Sequence, residues 1–106
     1  MSSMYVTVEG ELWRVAFGDP ADNSQIVRDA ESRLQQLEQE GLNGSLVLIN
    51  GPASLAVAVV LAHHLVHRFA AVGVFDPKLG SYVISAAHGA AYNLGDLIPQ
   101  ETVQPA

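Results

Sequence analysis

Cysteine is absent from the sequence, and basic residues are few. Without cysteine the chain forms no disulfide bond and offers no thiolate ligands to zinc. Only five of its 106 residues are lysine or arginine, and the formal net charge at pH 7 is −6. Because proteins that bind long nucleic acids use many cationic contacts to phosphates, a partner of that kind is not expected. A small anionic ligand, held by backbone amides and one or two cations, is compatible with this charge.

Long apolar segments are also missing. The longest one, residues 55–62, is far shorter than the roughly 20 residues that a membrane-spanning helix needs. The first ten residues, MSSMYVTVEG, lack the basic and apolar regions of a signal peptide. We therefore expect a cytoplasmic protein without a membrane partner. The length and the 49% share of hydrophobic residues predict one domain over residues 1–106, with a mobile tail at 99–106.

The spacing of apolar residues predicts a small α/β domain with the element order ββαβαββ and a mixed sheet. Alternating apolar residues indicate strands of a hairpin, and recurrence every three or four residues indicates an amphipathic helix. Two short continuous apolar runs are typical of strands covered on both faces. The predicted elements are strands 5–8 and 12–17, a helix around 26–37, strand 46–49, a helix from Pro52 to about Phe69, strands 70–75 and 81–86, and an edge strand at 96–98.

Polar turns follow the two covered strands. One is Asn50-Gly51-Pro52-Ala53-Ser54, and the other is Asp76-Pro77-Lys78. In open α/β sheets, ligands bind outside the carboxyl ends of the strands, so both turns are expected at the ligand-binding edge. The first turn also precedes a helix, whose free amides and dipole favour phosphate. The alternative is that both are ordinary structural turns, in which proline and aspartate are common.

Histidines cluster near the end of the second predicted helix. His63 and His67 are four residues apart, which places them on one helix face at a spacing that suits two metal ligands. His88 ends the strand that returns from Asp76, so it is expected at the same edge. These three side chains could bind a metal, transfer protons, or act as cations that favour a helix C-terminus. His64 points away from the shared face and is expected at the surface.

The predicted lengths separate the histidines from the polar turns. A helix over 53–68 is about 24 Å long. With about 3.3 Å per strand residue, His67 and Asp76 lie about 20 Å apart within one chain. They therefore cannot share an intramolecular site. If both are catalytic, subunits must stack head to tail, an arrangement that closes into a ring or grows into a filament.

Several motifs between Gly51 and His88 occur together in one known family. They are Gly51-Pro52, LAHHLVH at 61–67, VFDPKLG at 74–80, YVI at 82–84 and AAH ending at His88, followed by GDLI at 95–98. In these motifs and in the order of its elements, the chain resembles the small CRISPR-associated ring nucleases of the Csx-three family, which belong to type III CRISPR systems.

The resemblance implies a fold, a ligand and an assembly. The fold is a distant relative of the CRISPR-associated Rossmann fold. The expected ligand is cyclic tetra-adenylate, a second messenger that a dimer binds and that is sandwiched between two dimers. Dimers stack head to tail into a tetramer or filament, and cleavage linearises the ring and ends the antiviral signal. Manganese-dependent action on RNA ends is also associated with the family, so a manganese ion is the expected cofactor.

The family's functional residues can be carried over by position. His67, Asp76 and Lys78 are the implied catalytic residues. The implied ring-binding residues are Asn50, Gly51, Pro52, Ala53 and Ser54, and the implied metal or supporting residues are His63, His67 and His88. The family usually has arginine where this chain has Lys78. Lysine keeps the charge but lacks the two-pronged grip of arginine on phosphate, which affects the expected rate or affinity.

Three functions of different classes follow from these features. The first is a phosphodiesterase that opens a cyclic oligoadenylate. The second is a module that binds or sequesters the ring without cleaving it, which Lys78 and the low basic content favour slightly. The third is a structural dimer module without a ligand. Recovery of the ring intact after binding separates the first two, and thermal stabilisation by the ring counts against the third.

Overall fold

A six-stranded mixed sheet forms the frame of the molecule within residues 2–89 and 91–103, the part of the chain that the computed structural model describes. The elements are β1 Met4–Glu9, β2 Leu12–Phe17, α1 Asn23–Glu38, β3 Gly44–Asn50, α2 Leu55–Leu65, β4 Phe69–Asp76, β5 Ser81–Ala87, β6 Leu97–Pro99 and a 3₁₀ helix Gln100–Val103. This confirms the predicted α/β class and the mixed sheet. The predicted edge strand is β6, which makes the full order ββαβαβββ.

The strands lie side by side in the order in which they follow one another along the chain. The β2–β3 and β3–β4 pairs are parallel, and the other three pairs are antiparallel. In the β3–β4 pair, Ile49 lies opposite Val74, so the carboxyl ends of both strands reach the same edge. The turns that begin at Asn50 and Asp76 therefore share an edge of the sheet, as the strand directions predicted.

Both helices pack on one face of the sheet. The larger core cluster joins α1 and α2 to residues of β1–β4, and its helical members are Ala30, Leu34, Leu37, Val57, Leu61 and Leu65. A smaller cluster on the opposite face centres on Leu48, Tyr82 and Ile84, with Tyr92 packed against it. The sheet is thus covered on both faces, which explains the continuous apolar runs of β3 and β4.

Helix α2 is shorter at both ends than the predicted helix. Pro52 precedes the helix, and Ser54 is its N-cap, with the Ser54 Oγ accepting a hydrogen bond from Val57 N (3.2 Å). At the other end, Phe69 is the first residue of β4, where its ring packs edge-to-face on Trp13 at a centroid distance of 5.9 Å. His67 therefore lies in the turn between α2 and β4 and not on the helix itself.

Side chains of α1 bond to the backbone at the edge of the sheet. The carboxylate of Asp29 accepts hydrogen bonds from Ser3 Oγ (2.6 Å) and Ser3 N (3.0 Å), which lower the pKa of Asp29. Arg33 donates from Nε and Nη2 to the carbonyl oxygen of Val6 in β1, at 3.1 and 3.0 Å. These bonds fasten the helix to the first strand.

The segment predicted to be a mobile tail begins with regular secondary structure, and its mobility stays a prediction. Pro99, where that tail was predicted to begin, pairs with Ser81 in the sheet, and residues 100–103 form the 3₁₀ helix. Residues 104–106 lie outside the described part of the chain. Neither α1 nor α2, the α-helices among the described residues, has the length and apolar character that a transmembrane span requires.

Candidate functional site

The turn at residues 50–54 is pressed against the neighbouring strand β2. Gly51 has a φ of +128°, a conformation that residues with a side chain rarely adopt. A Cβ atom at this position would lie 1.9 Å from the carbonyl oxygen of Val15, so only glycine fits. The backbone geometry of the predicted ring-binding segment is therefore set by a close approach that no other residue type permits.

The polar side chains of this turn are used for local structure. Asn50 Nδ2 donates to the hydroxyl of Tyr82 (3.1 Å), and Ser54 Oγ donates to Asn23 Oδ1 (2.9 Å) in addition to capping α2. Pro52 and Ala53 are exposed and lie between these two bonded residues. The first turn of α2 begins at this edge of the sheet, and of its amides that of Val57 is bonded to Ser54 Oγ. The start of a helix generally favours an anion.

The turn after β4 is organised by the carboxylate of Asp76. Asp76 Oδ1 accepts hydrogen bonds from the backbone amides of Lys78 (2.8 Å) and Leu79 (3.3 Å), and the Asp76 carbonyl accepts from Gly80 N (2.9 Å). Gly80 adopts a positive φ of 61°. The result is a tight turn that presents the exposed Lys78 at the same edge as residues 50–54.

An open groove lies beside each of the two turns. One, of about 560 Å³, contains Asp76 and Lys78, and the other, of about 550 Å³, contains Gly51 and Ala53. Both grooves share Val74 and Ser85. Ser85 is available there because the β4–β5 register shifts: Val72 pairs with Ala86, whereas Gly73 pairs with Ile84. The two grooves are therefore adjacent, and each contains residues of one polar turn.

His63 and His67 lie together at the opposite edge. Their rings contact each other at a centroid distance of 5.4 Å and an interplanar angle of 87°, and both side chains are exposed. The two residues are close as predicted, although His67 follows the helix. Asp76 is the last of the eight residues of β4 and the histidines lie before the first, so the length of this strand, more than about 20 Å, separates them.

His88 returns to this histidine edge, as the direction of β5 predicted. Its Nε2 lies 2.9 Å from the carbonyl oxygen of Val66 and 3.1 Å from that of Phe69. Since both partners are acceptors, Nε2 carries the proton and donates, so only Nδ1 is left for another ligand. His88 thus ties the turn that bears His67 to strand β5.

The predicted metal ligands do not form a metal-binding group within one chain. Among the described residues, no three histidine or carboxylate side chains are placed to hold one metal ion. His63 and His67 face each other edge-to-face, and one nitrogen of His88 is already a donor. These residues therefore do not fit a manganese ion within one subunit, and the manganese cofactor stays a prediction.

Residues 21–99, which extend from before α1 to the end of β6, match a family model described as CRISPR-associated protein (Cas_csx3). The chain belongs to this family. The match covers about three-quarters of the chain, including both polar turns and all four histidines, and establishes its CRISPR association. Neither the curated proteins nor the solved structures that were compared with the chain include a match.

One histidine of this Csx3-family chain has a different environment from the predicted one. His64 was expected at the surface, but it is only 7% exposed. Its Nε2 lies 2.7 Å from Glu31 Oε1, and its Nδ1 contacts Glu38 Oε1. The prediction was wrong because it considered only the faces of α2, whereas both carboxylates come from α1. The spacing of Glu31 and Glu38, two helical turns apart beside the apolar stripe of α1, is the signal that was available.

This arrangement of carboxylates favours the protonated form of His64. A neutral imidazole has one N–H, so donation from both ring nitrogens requires the protonated form. Burial lowers the pKa of His64, but the hydrogen bonds and charges of Glu31 and Glu38 outweigh it, so the pKa is raised above its ordinary value of 6.5. The hydrogen bond from His64 in turn lowers the pKa of Glu31. We refer to His64, Glu31 and Glu38 as the His64 clamp.

Proposed function

We propose that this Csx3-family chain is a phosphodiesterase that binds and linearises cyclic tetra-adenylate and so switches off type III CRISPR signalling in the cytoplasm. The observation that carries the proposal is the division of the sheet into two edges. One edge holds the start of α2 and the exposed Lys78, which lie beside adjoining grooves. The other presents exposed imidazoles, including His67. A substrate held by one subunit and cleaved with the help of another requires this division.

Ring binding is assigned to the two polar turns. The net charge of −6 does not attract a polyanion as a whole, so recognition depends on local groups. The amides at the start of α2 and the ammonium of Lys78 are such groups, and oriented amides of this kind hold phosphates without further positive charge. A two-fold dimer supplies two copies of each turn, which matches the repeating nucleotides of a cyclic tetranucleotide.

A second copy of the chain is assigned to the apolar side of α2. Leu55 is 89% exposed and Val59 is 68% exposed, and both line the groove that also contains Gly51 and Ala53. Exposed apolar surface of this kind is favourable to bury. Because the groove continues directly into the ring-binding turn, a two-fold contact here places two such turns side by side.

This dimer surface can be tested with a single charge. Val59→Asp places a carboxylate in the centre of the apolar groove and is expected to shift the protein toward monomer in sedimentation measurements, because a buried unpaired charge opposes association. Ala16→Asp adds the same charge at an exposed position of β2, outside the groove, and serves as the control. If Val59→Asp remains a dimer, the dimer contact does not lie in this groove.

The chemistry is assigned to groups from stacked dimers. An oxygen nucleophile, either the neighbouring ribose 2′-hydroxyl or water, attacks a ring phosphorus, and the bond from phosphorus to the leaving ribose oxygen breaks. Lys78 offsets the negative charge that develops on the phosphate, and Asp76 orients the nucleophile. His67 of a stacked subunit takes up or delivers the proton, a task that suits imidazole near neutral pH. Products with a 2′,3′-cyclic phosphate identify the ribose route.

The first experiment measures turnover of cyclic tetra-adenylate over a range of protein concentrations, with manganese or with a chelator. A specific activity that rises with protein concentration is expected if the site forms between dimers. The chelator arm tests the proposed manganese dependence. An intact ring at every concentration, with manganese present, contradicts the enzymatic proposal.

A ring-binding module without cleavage is the second candidate. Asp76 favours it, because its Oδ1 is bonded to the amides of its own turn and so has a structural role in the free chain. Lys78, in place of the arginine usual in the family, favours it as well. In this case the ring raises the melting temperature of the protein and is recovered intact. A chain that the ring does not stabilise at all is a structural module.

A further inference from the structure

The His64 clamp lies immediately before the turn that carries His67. His64 is the penultimate residue of α2, and His67 follows three positions later. Glu31 and Glu38 reach His64 from two successive parts of α1, so the end of α2 is held against a second helix by bonds on both sides of the imidazole ring. The exposed side chain of His67 projects just beyond this anchored point.

The three neighbouring histidine rings are in contact. The ring of His63 lies edge-to-face on that of His64 at 5.5 Å and on that of His67 at 5.4 Å. His63 therefore packs between the buried ring of His64, which is hydrogen-bonded at both nitrogens, and the exposed ring of His67. The direction of the His67 ring is thereby related to the fixed ring of His64 through direct contacts.

The backbone of the same turn is held from the sheet. His88 Nε2 donates to the Val66 carbonyl (2.9 Å), and Gly44 N donates to the Arg68 carbonyl (3.1 Å). These contacts hold the turn from the side of the sheet, and the His64 clamp holds the preceding end of α2 from the side of α1. His67 sits between the two anchored residues.

We infer that His64 is a positioning residue for His67: its bonds to Glu31 and Glu38 hold the end of α2 and the following turn in the conformation that presents the His67 imidazole to a stacked subunit. The role of His67 in ring opening rests on the proposed function. The placement of the turn by the clamp is a property of the single chain and can be measured without substrate.

The chain permits a substitution that removes the clamp and keeps the core. Leucine is close to histidine in size, and the clamp lies beside Leu34, Leu37 and Leu65, which line the same small cavity of about 10 Å³. In His64→Leu, the carboxylates of Glu31 and Glu38 stay solvated, since their side chains are 40% and 37% exposed. His64→Gln keeps a side-chain N–H₂ group and is the conservative variant.

The decisive measurement separates kcat from ring affinity. His64→Leu is expected to lower kcat by about tenfold or more, because misplacing a reacting group is costly. Its Kd for cyclic tetra-adenylate is expected to stay within about twofold, because the ring-binding turns lie at the other edge of the sheet. His64→Gln is expected to recover part of the loss. Glu38→Gln should lower kcat as well, whereas Glu40→Gln, an exposed position outside the clamp, should not.

Hydrogen exchange supplies the readout that needs no substrate. In His64→Leu, the amides of residues 66–68 are expected to exchange faster, while those of β3 and β4 keep their protection. If the wild-type protein fails to open the ring, only the proposed function is contradicted. Hydrogen exchange then decides whether His64 positions the turn that carries His67. A folded His64→Leu with wild-type exchange at 66–68, or with wild-type kcat where the wild type is active, overturns the inference.

Discussion

The two edges of the sheet are built by opposite means. At the carboxyl edge, the side chains of Asn50, Ser54 and Asp76 are bonded within the protein, and backbone amides and Lys78 face outward. At the histidine edge, the side chain of His64 is bonded to carboxylates of α1 and that of His88 to backbone carbonyls, whereas the rings of His63 and His67 are exposed. Backbone groups at a rigid turn suit recognition of an anion, whereas mobile protons on imidazole suit chemistry. The proposed function accordingly assigns ring binding and proton transfer to opposite edges of the sheet.

The largest effect is expected from breaking the carboxyl edge at Gly51. In Gly51→Ala, a methyl group meets the Val15 carbonyl oxygen, and φ must leave +128°. A loss of about 3 kcal/mol of unfolding free energy is expected, together with loss of ring binding. Urea unfolding measures the loss of stability, and titration with cyclic tetra-adenylate measures the loss of ring binding. Gly44→Ala is the control, because the nearest atom to its Cβ is 3.6 Å away. Near-wild-type stability of Gly51→Ala would show that the turn can shift.

The next effect tests whether the two edges meet in one site. His67→Ala and Asp76→Ala are each expected to lose about 100-fold or more in turnover, since each removes a group that takes part in the proposed chemistry. Mixing the two variants is expected to restore part of the wild-type rate, because a stacked pair then contains one intact site. Each variant alone at the doubled concentration is the control. No recovery, with both variants folded and still binding the ring, would contradict a site shared between subunits.

A smaller effect is expected at Lys78, which sharpens the role of the carboxyl edge. Lys78→Ala is expected to weaken ring binding by about tenfold through loss of one charge-assisted contact to phosphate. Lys78→Arg restores the two-pronged group and is expected to raise affinity or rate by a few-fold at most. Calorimetric titration and single-turnover kinetics distinguish the two. An unchanged Kd in Lys78→Ala would leave ring binding to the amides alone.

The smallest effect concerns the pH dependence of the His64 clamp. The pKa of His64 is raised from 6.5, so its stabilisation is complete below 6.5 and is lost as pH rises through the folded-state pKa. The pKa of Glu31 is lowered from 4.5, so its contribution to stability is fully present above pH 4.5 and is lost as pH falls through the folded-state pKa. The difference in unfolding free energy between the wild type and His64→Leu is therefore expected to be largest between pH 4.5 and pH 6.5. A difference that does not vary with pH would contradict the charged clamp.

The sequence predicts the strands and their directions better than it predicts contacts between distant segments. The apolar runs of β3 and β4 and the turns after them follow from local pattern and composition. The limits of α2 do not follow from it, because the apolar pattern continues beyond both ends of the helix. The helix begins only after the cap at Ser54, and Phe69 packs on Trp13 as part of the next strand. His64 was misplaced for the same reason, since its partners lie 26 and 33 positions earlier in the chain. The family was recognised from motifs, and the roles of His67, Asp76 and Lys78 stay predictions.

The bonds from α1 to β1 also bear on how copies of this protein avoid sticking together in the wrong way. An unprotected outer strand invites a neighbour to extend the sheet, which is a common route to aggregation. Here the guanidinium of Arg33 occupies the Val6 carbonyl, and the carboxylate of Asp29 occupies the Ser3 amide. A neighbouring strand would have to displace charged groups to pair at these positions. These bonds therefore disfavour strand-to-strand growth at this border of the sheet, which protects crowded chains from one route to aggregation.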